Sequence, residues 1–247
     1  MKQPLIFAHR GVKGTHPENT MIAFREAERV GAHGIELDVH LSKDGEVVII
    51  HDETVDRTTN GSGLVCEHTL QELKQLDASF GSSFVGETIP TLHEVLEWMQ
   101  GNMLLLNIEL KNDVIRYIEL EQKVIDLVRE YRMEKRVVLS SFNHDSVAIL
   151  EALAPDIERA ILYHYPIAEP TAEAKIRKAS GLHPNFELLT KEFVQKAQEE
   201  GYVLRPYTIN EPEDLTRMIE YGVDVIITDW PERALSLLNK KKPFNSF

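Results

Sequence analysis

Seven side chains in this sequence carry the right chemistry to act on an anionic substrate, provided the chain brings them together: His9, Arg10, Glu36, Asp38, His51, Glu109 and Lys111. The first two stand in His9-Arg10-Gly11, directly after the apolar run Leu5–Ala8. Arginine offers planar donors matched to phosphate oxygens, and a neutral imidazole accepts or delivers a proton near neutral pH. Glu36 and Asp38 alternate with Ile35 and Leu37, so a strand sends both carboxylates to one face. Two like charges facing a protein interior repel or take up protons unless a cation lies between them, which points to a hard divalent ion, Mg²⁺ or Ca²⁺. In Leu104–Lys111 the same alternation puts Asn107, Glu109 and Lys111 on one face. Glu36, Asp38 and Glu109 thus form a candidate set of oxygen ligands for one divalent cation, with Lys111 as positive charge beside a phosphate. The lone cysteine, Cys66, argues against a structural zinc site.

His51 is far from His9 in sequence, and a turn returns it. Ser42-Lys43-Asp44-Gly45-Glu46 reads as a two-residue hairpin turn centred on Asp44-Gly45. Pairing Lys43 with Glu46 sets Asp38 opposite His51, with Cβ atoms roughly 4.5–5.5 Å apart.

Positioning these groups requires strands that end at a common rim. Eight apolar runs supply candidates: Leu5–Ala8, Gly34–Asp38, Leu104–Leu110, Val137–Ser140, Glu158–Leu162, Gly181–His183, Tyr202–Pro206 and Val225–Thr228. Helical patterns near residues 19–30, 91–100, 118–132, 145–154, 171–179, 190–200, 211–221 and 231–239 alternate with them, and Asn19 and Asn210 read as helix caps. Strict alternation implies a parallel sheet with crossover helices, and eight units favour a closed (β/α)₈ TIM barrel spanning residues 1–247 as one domain. Residues 40–90 interrupt the alternation and read as a small insertion after the second strand, on the catalytic face. No Gly-x-Gly-x-x-Gly turn follows the first strand.

With 43% hydrophobic and 27% charged residues, the 247-residue chain has the composition of a globular domain. Its formal charge of −13 disfavours nucleic acid, which demands lysine and arginine to displace counterions. A small anionic substrate stays compatible, because local cations and a metal reverse the field inside one cleft. Before His9 the apolar run is too short for a signal peptide, and nowhere do eighteen apolar residues run together. The expectation is a cytoplasmic protein without stable membrane association.

Taken in order, His9-Arg10-Gly11, Pro17-Glu18-Asn19-Thr20, Glu36-Leu37-Asp38 and His51-Asp52 resemble the hallmark of the glycerophosphodiester phosphodiesterases, barrels related to the phosphoinositide-cleaving phospholipases. The likeness extends through Thr58-Thr59-Asn60-Gly61, Ile108–Lys111, Ser141-Phe142, His183-Pro184, Tyr207–Asn210 and Ile227–Asp229, with Tyr207 where the family often has tryptophan. The resemblance implies metal-dependent hydrolysis of a small-molecule glycerophosphodiester to an alcohol and sn-glycerol 3-phosphate, within lipid and glycerol metabolism. It assigns Glu36, Asp38 and Glu109 to the metal, Arg10 and Lys111 to phosphate, and His9 and His51 to proton transfer. The remaining histidines, His40 and His183 among them, read as structural or exposed. Two alternatives are a related barrel phospholipase acting on intact lipid and a phosphoglycerol-binding module without turnover.

Overall fold

A computed structural model describes residues 3–240; the ends of the expected 1–247 domain lie outside the described residues. Eight parallel strands form the barrel wall: β1 (Leu5–His9), β2 (Gly34–Leu41), β4 (Leu105–Leu110), β5 (Val137–Ser141), β6 (Glu158–Tyr163), β7 (Gly181–Pro184), β8 (Val203–Leu204) and β9 (Val225–Thr228). They neighbour one another in chain order, and β1 pairs with both β2 and β9. β8 forms no regular ladder with β9, the side on which Pro206 has no N–H to donate. The backbone nevertheless bridges the remaining seam, with Asp224 N–H donating to Leu204 O, Ile227 N–H to Pro206 O and Ile209 N–H to Ile227 O. The expected barrel is therefore the observed one.

Helices cover the wall with one apolar face each. In α3 (Leu92–Met99) the buried residues Leu92, Val95, Leu96 and Met99 recur at helical spacing, and Thr91 with Glu94 forms a capping box. Another helix, α8 (Pro212–Tyr221), begins at a proline and stops at Gly222, which takes φ +80°. Leu5, Phe7, Leu105, Val225 and Ile227 pack together as an apolar layer of the barrel interior. Gly34 faces this layer, and a Cβ there would stand 2.6 Å from the Phe7 ring and 2.7 Å from the Leu105 carbonyl. Gly34→Ala is expected to destabilise the fold by about 1–3 kcal/mol, as overpacking does, read as a lower denaturant midpoint at unchanged slope.

The insertion follows β2. A short antiparallel strand, β3 (Val47–Ile49), returns along β2, and the segment up to α3 encloses its own core of Val48, Ile50, Val55, Val65, Leu73, Ala78 and Ile89. The expected two-residue turn between β2 and β3 is not the one that forms. The turn has three residues, Lys43-Asp44-Gly45, since Leu41 pairs with Val47 and Ser42 N–H donates to Glu46 O. Gly45 adopts φ +83°, the left-handed conformation that ends a three-residue hairpin loop. The register shifts by one, so Ile50 rather than His51 lies beside Asp38, with Ile50 N–H donating to the Asp38 carbonyl. His51 reaches the site because the chain leaves the ladder after Ile49.

Candidate active site

β1 ends in a sharp turn in which Arg10 and Gly11 take φ +53° and +80°. The turn aims the Arg10 N–H at Glu36 Oε2, 3.0 Å away. Gly11 is required by space as well as by φ, because a Cβ would meet Ala23 of α1 (Met21–Arg29) at 2.6 Å. His9 faces inward, with Nδ1 2.6 Å from Asp229 Oδ1 just beyond β9. An ionised carboxylate only accepts, so Nδ1 carries the proton and Nε2, 3.9 Å from Glu36 Oε2, presents a lone pair. Burial holds the His9 imidazole below its ordinary pKa, against the pull of Asp229, and so keeps it neutral. Asn210 fixes Asp229 from both sides: its Nδ2 donates to Oδ2 (2.8 Å) and its Oδ1 accepts the Asp229 N–H (3.0 Å).

Strand register assembles the carboxylates. Asp38 pairs with Glu109 and Glu36 with Asn107 across β2 and β4, so these inward side chains lie in adjacent layers. Glu36, Asp38 and Glu109 bring one oxygen each within 4.8 Å of one another, all buried. Burial, reinforced by the charges of Asp38 and Glu109, pushes Glu36 well above the usual carboxylate range. Burial also raises Glu109, against the pull of Lys111. Asp38 goes the other way: burial opposes ionisation, but Arg10, His51, Lys111 and the Asn19 hydrogen bond (2.9 Å) hold it at about 2. Its Oδ1 is buried and has no hydrogen-bond partner. Three hard oxygen donors, mutual repulsion and one orphaned carboxylate oxygen fit a divalent cation.

On the far side, His51 Nδ1 lies 2.6 Å from Asp52 Oδ1. Its Nε2 is 3.5 Å from Lys111 Nζ, which also donates to Glu109 Oε1 at 3.0 Å. Against burial, Glu109 and Asp38 raise the Lys111 ammonium above its ordinary pKa, so it stays charged. Phe142 lies 5.8 Å from Lys111 and stands edge-on to Tyr207 at 6.1 Å, an aromatic wall whose Tyr207 hydroxyl donates to Tyr163 O.

All seven sequence-derived residues therefore meet at one rim. Sequence reasoning missed the residues that orient them. Asn19 and Asn210 do not cap helices: Thr20 caps α1, accepting from Ala23 N–H, and Glu211 precedes α8. Both asparagines instead serve carboxylates of the rim. Asp52, Asp229 and Glu18 were visible in the quoted motifs, and their signal was position, just after a strand or beside a cation. His40 lies on β2, fully buried, between the Tyr117 hydroxyl and the His51 carbonyl, both at 3.1 Å.

Glu18 accepts from Arg10 Nη1 at 2.9 Å and from Arg57 at 2.7 and 2.9 Å. Although burial opposes ionisation, Arg57 and Arg10 lower its carboxyl from 4.5 to about 2. A depressed folded pKa contributes stability that is present above the unfolded value and lost as pH falls through the folded one. Wild type is thus expected to lose more stability between pH 4.5 and 2 than Glu18→Gln, measured by urea unfolding across that range.

Cations set over a carboxylate cluster, with histidines at the rim of a closed parallel barrel, define the class: a barrel enzyme of phosphate-ester chemistry. A profile of the Glycerophosphoryl diester phosphodiesterase family matches residues 9–233. The chain is 47% identical over 238 residues to the glycerophosphodiester phosphodiesterase of Caldanaerobacter subterraneus subsp. tengcongensis, covering 96% of this chain and 98% of that one. It is 46% identical over 244 residues to that of Bacillus altitudinis, covering 96% and 99%. Among solved structures, an Oleispira antarctica phosphodiesterase in complex with the product sn-glycerol-3-phosphate superimposes with a TM-score of 0.88 at 31% identity, covering 96% of this chain and 97% of that one. The chain belongs to the glycerophosphoryl diester phosphodiesterase family and is an enzyme, a phosphoric diester hydrolase.

Proposed function

We propose that the enzyme hydrolyses glycerophosphodiesters to an alcohol and sn-glycerol 3-phosphate by histidine acid–base catalysis over a divalent cation, Mg²⁺ or Ca²⁺. The observation that carries this reading is the placement of two histidine–aspartate pairs around one buried carboxylate cluster. Glu36, Asp38 and Glu109 would hold the cation, which supplies Lewis-acid polarisation of a phosphoryl oxygen when bound. Arg10 and Lys111 contact the nonbridging oxygens and stabilise the charge that grows on them. His9, buried and neutral, takes the proton of the attacking hydroxyl at Nε2, and Asp229 steadies the imidazolium that results. His51 sits nearer solvent, its side chain 29% exposed against 10% for His9, and delivers a proton to the departing alkoxide. The nucleophile is water or the neighbouring glycerol hydroxyl; ¹⁸O from solvent water and a search for a cyclic phosphate separate the two.

The reading also includes a cytoplasmic enzyme of lipid and glycerol metabolism, without affinity for nucleic acid or stable attachment to membranes. Among the described residues no helix is long and apolar enough to cross a membrane. The test is release of sn-glycerol 3-phosphate from glycerophosphocholine, glycerophosphoethanolamine and glycerophosphoglycerol with Mg²⁺ or Ca²⁺. Absence of product from all three with either ion sinks the proposal.

A further inference from the structure

Arg57 touches none of the groups assigned to chemistry, yet its two carboxylate partners each hold one of them, Glu18 holding Arg10 and Asp52 holding His51. It belongs to the insertion, and its guanidinium is half exposed. Nη1 and Nη2 donate to Glu18 Oε2 and Oε1 at 2.9 and 2.7 Å, while Nε and Nη2 donate to Asp52 Oδ2 and Oδ1 at 2.6 and 3.0 Å. One planar fork thus holds two carboxylates bidentately, a geometry that lysine has no means of reproducing.

Each carboxylate leads onward. Glu18 Oε1 accepts Arg10 Nη1, and Arg10 Nε stands 3.4 Å from Asp38 Oδ2. Asp52 Oδ1 accepts His51 Nδ1, and His51 Nε2 faces Lys111. We infer that Arg57 is a positioning residue that couples the placement of Arg10 to that of His51, an inference that rests on the phosphodiester hydrolysis proposed above.

The backbone carrying Arg57 is anchored for this task. Thr59, buried two residues on, donates from Oγ1 to Val55 O at 2.7 Å and accepts the Gly61 N–H at 3.0 Å, and Val55 lies in the core of the insertion. The docking of the insertion against the loop after β1 thereby reaches both Arg10 and His51. Without the guanidinium, Glu18 keeps only Arg10 and Lys13 and Asp52 keeps only His51, so the two carboxylates repel each other and the placement of Arg10 and His51 loosens together. The half-exposed Arg57 shares the hold on Glu18 with Arg10, so its loss costs some stability, and the kinetic changes separate positioning from folding.

The experiment compares Arg57→Ala, Arg57→Lys, Glu18→Gln and Asp52→Asn with wild type in kcat, KM and Tm, with and without added guanidinium chloride at low millimolar concentration. Asp52→Asn is expected to lower kcat and Glu18→Gln to raise KM. Arg57→Ala is expected to do both, with kcat/KM falling roughly 10–100-fold, as when a supporting partner is lost. Guanidinium restores part of the Arg57→Ala activity, and Arg57→Lys remains impaired. Adding Arg57→Ala to the Glu18→Gln, Asp52→Asn double variant costs little more, because its route of action is already gone. Wild-type kinetics in Arg57→Ala or Arg57→Lys overturn the inference, as does a fall that tracks lost folded protein and resists guanidinium. If wild type itself releases no product, the phosphodiester reading fails. The ¹⁵N shifts of the His51 ring then still test Arg57, since loosening of Asp52 must move them in Arg57→Ala and unchanged shifts refute it.

Discussion

His9→Ala and His51→Ala are each expected to lower kcat by roughly 10²–10⁴-fold, the range for losing a placed proton-transfer group. The two losses should not multiply, because acid and base act on one displacement and the second removal finds little concerted catalysis left. Asp229→Asn extends the test to tautomer. With an amide partner the His9 ring is free to place its proton on Nε2, where the lone pair is needed, so kcat falls while the side chain remains in place. All three variants should bind sn-glycerol 3-phosphate much as wild type does, as measured by calorimetry. Full turnover in either alanine variant would falsify the acid–base assignment.

Glu36→Gln tests the carboxylate cluster, and its expected signature is a loss of activity together with a gain in stability. Glu36 is buried beside Asp38 and Glu109, and burial, reinforced by their charges, pushes its carboxyl well above the ordinary range. Without a cation, that repulsion opposes folding. Glutamine keeps an oxygen to accept the Arg10 N–H and removes one like charge. In chelator, Tm of the variant should therefore exceed that of wild type, by about 2–4 °C for each kcal/mol relieved in a chain of this size. Adding Mg²⁺ or Ca²⁺ should reverse the order, since binding to the native state raises Tm by mass action and the variant has lost a ligand. Turnover should fall by several powers of ten in the variant and in chelated wild type, because metal polarisation supplies several kcal/mol of transition-state stabilisation. A chelated wild type that retains its rate, or a Glu36→Gln protein less stable than wild type in chelator, is incompatible with this account. The same arrangement exemplifies a site held at the expense of stability.

Alternation of short apolar runs with amphipathic stretches was enough to read the barrel, because both periods are local properties of the chain. Period 2 also placed Glu36 with Asp38 and Asn107 with Glu109 and Lys111, and the register of β2 on β4 agrees with it. The hairpin shows where local reading stops. Asp-Gly suits two turn lengths, and with Gly45 but not Asp44 at positive φ the chain takes the three-residue one, moving the ladder by a residue while leaving His51 at the site. Asn19 and Asn210 show the same limit from another side. Asparagine before a helix reads as a cap, but Thr20 was the better placed acceptor for α1, and a carboxylate offered each asparagine a stronger partner, buried Asp38 for Asn19 and half-buried Asp229 for Asn210.

The seven groups opened from the sequence are those found at the rim, since their residue types and their places at strand ends are written in one dimension. Who holds them is not. Asp229 meets His9 across 220 residues of chain and Arg57 meets Glu18 across 39, contacts that exist only once the barrel closes and the insertion docks. The sequence by itself determined the fold and the chemistry available to it. Tertiary structure decided the tautomer of His9, the charge held by each carboxylate and the partner of each histidine, because all three depend on burial and on neighbours brought together from distant parts of the chain.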